Sequence, residues 1–77
     1  MNNSRRKNLS DVIRMLRSAY SMTETACDAE EDALDRIPDN LQGTDRYGQS
    51  EEAIDNLNEA LDKIDDAISC IEEAIQQ

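Results

Sequence analysis

The side chains of this 77-residue chain with types and spacing suited to chemistry are its few cations. Arg5, Arg6, Lys7, Arg14 and Arg17 stand in residues 1–20 against the single acid Asp11, a balance of +4, whereas residues 21–77 carry three basic and seventeen acidic groups, a balance of −14. Guanidinium and ammonium groups hold phosphates, and Tyr20, one of two aromatic residues, stands at helical spacing from Arg17 with a ring able either to stack on a base or to fill a core rim. Arg46 is isolated among acids and reads as a salt-bridge anchor or as an anion contact. Solubility alone also explains a charged face of this kind.

Much chemistry is excluded at once. The chain has no histidine, and no nucleophile stands beside a base, so the sequence predicts a non-enzyme with no catalytic residue. The net charge of −10 opposes general binding to a nucleic-acid duplex, whose phosphates would be repelled. Asp28, Glu30, Glu31, Asp32 and Asp35 lack the alternating oxygens and central glycine of a calcium loop. Pairs such as Asp62 and Asp66 have no histidine to complete a bundle metal site, so neither metal nor cofactor is expected. No run of about 18 apolar residues is present, so a membrane span is not expected and a cytoplasmic location is. There Cys27 and Cys70 would stay thiols, and a hairpin hinged near Leu41 would set them about 18 Å apart along the helix, too far to bridge.

The elements that position these groups are legible from the apolar period. Ile54, Leu57, Leu61, Ile64, Ile68, Ile71 and Ile75 alternate steps of three and four, the stripe of one helix face. Ala53, Ala60, Ala67 and Ala74 recur beside it every seven residues, which makes the apolar face three positions wide. Leu9, Val12, Ile13, Leu16, Ala19, Tyr20, Ala26, Cys27, Ala33, Leu34 and Ile37 give an earlier helix the same period, with Thr23 and Glu30 where an apolar residue belongs. Those two read as tolerant edge positions or as the polar lining of an interhelical pocket. Pro38 ends the first helix, Gly43 permits a left-handed turn, Leu41 can plug the hairpin end, and Thr44, preferred over Ser50, caps the second helix. Thr44 as cap leaves Gly48 inside that helix at about 1 kcal/mol.

The expected fold is therefore all-α: an antiparallel, coiled-coil-like two-helix hairpin, helix 4–37, turn 38–44 and helix 45–76, assembling into an oligomeric bundle. A wide face on one helix needs more than one neighbour, so a homo-oligomer, at least a dimer, is expected through Ile54, Leu57, Leu61, Ile64, Ile68 and Ile71. Arg5, Arg6 and Lys7 sit at the positive end of the first helix dipole, an unfavourable place for cations, and a bound anion is one explanation.

The stretch Asp28-x-Glu30-Glu31-x-Ala33-x-Asp35-x-Ile37-Pro38-x-Asn40-Leu41-Gln42-x-Thr44-x-Arg46, followed by acidic Glu-Ala-Ile heptads, resembles a group of small helical proteins of phages, prophages and gut bacteria. Glu31 stands where that group has glutamine and Thr44 where it has serine. More distantly, Arg46, Ala53, Leu57 and Ala60 resemble the arginine and helix of phage hairpin sponges that sequester cyclic nucleotide signals of CBASS and Thoeris defence. That resemblance implies a phage anti-defence protein binding a cyclic nucleotide, with Arg5, Arg6, Lys7, Arg14, Arg17, Tyr20 and Arg46 as candidate ligand contacts. The alternatives are an acidic nucleic-acid mimic that inhibits a defence nuclease, as some anti-CRISPR proteins do, and a plain structural oligomer.

Overall fold

A computed structural model describes the whole chain, residues 1–77. Two long helices, α1 (Asn3–Asp35) and α2 (Asp45–Gln76), pack against each other, and a short 3-10 turn at Asp39–Leu41 joins them. There is no strand, and the hairpin is a rod of 59 × 15 × 12 Å.

Local chemistry sets the ends. Asn2 caps α1, its side-chain oxygen accepting from the Arg5 amide at 2.8 Å, so the helix begins at Asn3, one residue before the expected start at residue 4. α1 stops at Asp35, two residues short of the expected end. Pro38 disfavours helical backbone at Ile37, and the Ile37 amide turns back to the Leu34 carbonyl at 3.1 Å. The turn continues with the Leu41 amide on the Pro38 carbonyl and the Thr44 amide on the Leu41 carbonyl. This succession of tight turns reverses the chain with no residue at positive φ, so Gly43 does not supply the left-handed step expected of it. Leu41, expected to plug the hinge, is 46% exposed, and Ile37 and Tyr47 are the half-buried residues there instead. Thr44 caps α2 by accepting from the Tyr47 amide, and Gly48 lies within the helix as expected.

Labelling each heptad a to g organises the packing. In α1 position a falls at residues 6, 13, 20, 27 and 34, and in α2 at 47, 54, 61, 68 and 75. Five residues are buried, Ile13, Cys27, Ile54, Leu61 and Ile68, and all five are at a. The d residues Leu9, Leu16, Leu57, Ile64 and Ile71 are only half-buried. On a helix cross-section e flanks a, and g flanks d. The hairpin core is thus sealed less completely at d, the row beside g, than at a, the row beside e. On the e side Arg17 reaches Glu72 at 3.2 Å, and the Cys27 Sγ lies 3.7 Å from the Asn58 Oδ1.

These observations give two mutational outcomes, read by urea unfolding at one fixed protein concentration. A methyl group on Gly48 would meet no atom within 4 Å, so Gly48→Ala should stabilise the fold by about 0.5–1 kcal/mol. Leu61→Ala removes a seam residue and should destabilise it by about 2–5 kcal/mol.

Candidate functional site

The basic residues at the open end of the hairpin have structural partners that sequence spacing did not reveal. Because the helices run antiparallel, the first turn of α1 lies beside the last turn of α2, where carbonyl oxygens carry partial negative charge. The Arg6 Nε donates to the Ile75 carbonyl at 3.1 Å. A cation misplaced on its own helix dipole is well placed on its neighbour's. Arg14 pairs with Asp11 within α1, and Arg17 with Glu72 across the hairpin. Arg5 and Lys7 make no ion pair.

The structure divides the candidate residues between the open half of the rod, from its tip to near its middle, and the hinge. Arg17 and Tyr20 line one shallow recess with Ser21, Asp65, Ile68, Ser69 and Glu72. Two carboxylates in that lining oppose a phosphate. Arg14 and Arg17 share a second recess with Ser10, Ile13 and Glu72. Arg46 is at the other end. It lines an open recess of about 650 Å³ at the hinge, together with Glu30, Ala33, Arg36, Ile37, Pro38, Leu41, Thr44 and Ser50. Arg36 is the residue that sequence reasoning missed. Its signal was available: Arg36 follows the last helical turn of α1, so a tight hinge returns α2, and Arg46 with it, to the same level.

Of the two polar residues at apolar heptad positions, Thr23 is satisfied by its own helix, its hydroxyl donating to the Ala19 carbonyl at 2.8 Å. Glu30 is half-buried at the rim of the hinge recess. The first behaves as a tolerant edge position, and only the second lines an interhelical concavity.

Cys27 is the one buried titratable side chain. Its thiol pKa is raised, first by burial and then by the Glu31 and Asp28 carboxylates, with the Glu31 hydrogen bond adding to the shift. A low-pKa nucleophile is the opposite case. Cys70 is exposed, and both cysteines are free thiols.

No group of three histidine, cysteine, aspartate or glutamate side chains converges as a metal site would require, and no helix is long and apolar enough to cross a membrane. Compared with protein-family models, curated proteins and solved structures, the chain has no match.

The two thiols should differ sharply toward a water-soluble disulfide reagent at neutral pH. Cys70 reacts at once and Cys27 only as fast as the hairpin opens, so two equally fast thiols would contradict the seam position of Cys27. The raised pKa also fixes a sign. Folded Cys27 keeps its proton to higher pH than the unfolded thiol, so its contribution to stability is complete below the ordinary thiol range and declines as pH rises through that range toward the folded value.

Proposed function

We propose that this chain is a non-enzymatic binding protein whose acidic hinge half occupies a basic groove of a partner, in the manner of a nucleic-acid strand. The partition of charge along the rod supports this reading. The hinge half, residues 21–64, carries thirteen acidic and three basic side chains, a net charge of −10. The open half, residues 1–20 and 65–77, carries five of each and is neutral. Half of a 59 Å rod is roughly 30 Å, so the hinge half presents one net negative charge per ~3 Å, close to the ~3.4 Å spacing of one nucleic-acid strand. A groove built to track a phosphate backbone is electrostatically complementary to such a surface. The partner class that fits such a surface is a nuclease with a groove for a nucleic-acid strand, here one of a host defence system.

The test is displacement of a fluorescent single-stranded oligonucleotide from purified defence nucleases, measured at low and moderate salt. The expected result is displacement by the intact protein that weakens as salt rises. Asp28→Lys, Asp32→Lys and Asp35→Lys together should weaken it by about tenfold or more, a loss of about 1.4 kcal/mol. If the triple variant displaces the oligonucleotide as well as the parent, the acidic surface is not the binding surface.

One observation favours a second reading, sequestration of a cyclic nucleotide. Arg36 and Arg46 share the hinge recess with the Ser50 hydroxyl, three donors that can hold a phosphate beside the single carboxylate of Glu30. The replacement of Arg36 and Arg46 by Ala, with cyclic di- and trinucleotides screened by thermal shift, separates the readings. A shift with the parent that is lost in the variant belongs to the sponge, and no shift with the parent removes it.

A further inference from the structure

Beside the seam, the hairpin carries a second apolar face that it covers only in part. Val12, Ala19, Ala26 and Ala33 occupy g in α1, with Met15, Met22 and Ala29 at c. Ala53, Ala60, Ala67 and Ala74 occupy g in α2. In an antiparallel pair the two g rows lie on the same side, so these residues form one strip along the rod. Met15 is 68% exposed and Met22 74% exposed, and Ala26, Ala29 and Ala33 are exposed as well, whereas Val12, Ala19 and the four α2 alanines are half-buried.

The carboxylates avoid this strip, whose charged members are cations: Arg5 and Arg46 at g and Lys63 at c. Of the eighteen acidic residues, none is at c or g of either helix; apart from Asp39 in the turn, every one is at b, d, e or f. The strip also lies on the less sealed side of the core, next to the half-buried d residues Leu57, Ile64 and Ile71. An apolar, carboxylate-free face on a chain of net charge −10 is a surface kept for another apolar surface.

We infer that a second copy of this chain covers the strip, running antiparallel to the first, to form a four-helix bundle. The area fits. A folded chain of 8.7 kDa exposes about 4,700 Å² by general scaling, whereas this one exposes 5815 Å². The excess of about 1,100 Å² belongs to the elongated rod as a whole, and pairing two rods side by side, at ~800 Å² buried by each partner in a stable interface, would remove most of it.

Charge fixes the orientation. Side by side with hinges together, two copies would stack two halves of net charge −10. Antiparallel docking sets each −10 half against the partner's neutral half, whose basic tip Arg5, Arg6 and Lys7 then meets the acidic hinge. The two-fold axis passes near Ala19, the midpoint of α1, so Met15 lies close to the partner's Met22. Of the six interface residues expected from sequence, Leu57, Ile64 and Ile71 enter the bundle core from the less sealed side, whereas Ile54, Leu61 and Ile68 are already consumed within the hairpin. This inference stands apart from the acidic-groove reading: a dimer with no partner, or a partner bound by a monomer, separates them.

Sedimentation equilibrium at micromolar concentration tests the assembly, and the expected mass is twice the 8.7 kDa chain. Met22→Glu, and Ala29→Glu should the first variant lose helicity, should weaken the dimer on the order of 100-fold by placing carboxylates in it, with circular dichroism of the hairpin retained. Ser21→Glu, at the outward b position, should leave the mass unchanged. Spin labels at Gln77→Cys in a Cys70→Ser background then read the orientation. Antiparallel docking puts the two labels near opposite ends of the 59 Å rod, beyond about 45 Å apart. A monomer, an unaffected Met22→Glu and Ala29→Glu dimer, or labels within about 30 Å of each other would each overturn the inference.

Discussion

The register of the antiparallel seam is the constraint on which the rest of the structure depends. Position a residues from both helices meet along it, and every buried side chain belongs to that set. With only five of 77 residues buried, the hairpin has no second layer to correct a mistake in pairing. Shift one helix by a turn and Cys27 leaves Asn58, Arg17 leaves Glu72, and the alanine rows no longer lie level with each other.

Antiparallel pairing also explains the charge pattern at the open end. Three consecutive cations at the start of α1 oppose that helix's own dipole, yet they stand beside the carbonyl end of α2, and Arg6 bonds to it directly. Arg14 and Arg17 are held by carboxylates of the same chain. The cations with the clearest claim to an external ligand are consequently at the hinge, where Arg36 and Arg46 share one recess. This moves the balance between the two functional readings. The sequence pointed to Arg14, Arg17 and Tyr20 as a phosphate site, and the carboxylates in their recess make the acidic surface the better-supported feature.

Much of the fold was legible from residue spacing. Unbroken three-four alternation from Ile54 to Ile75 locates α2, and Thr44 marks its start, because a hydroxyl before a helical run has an orphan amide to accept from. The end of α1 was less legible, since proline forbids helix just before it without saying how many residues the turn will take. Gly43 misled for a related reason: glycine permits positive φ but does not require it, and a 3-10 turn reversed the chain without it. The site was harder to read. Pairings such as Arg6 with Ile75 or Arg17 with Glu72 join residues remote in sequence and appear only once the register is known. The second apolar face lay in the sequence all along, as the absence of acids from positions c and g, a pattern found by asking where carboxylates are missing.

The central claim is therefore the register, and nuclear Overhauser contacts in the labelled protein measure it most directly. The account predicts contacts linking the side chains of Cys27 and Asn58, with the α2 residues near Tyr20 including Asp65 and Ile68. Contacts from Cys27 to residues one heptad away in α2, at Glu51 or Asp65, would contradict it and remove the basis for the shared alanine face.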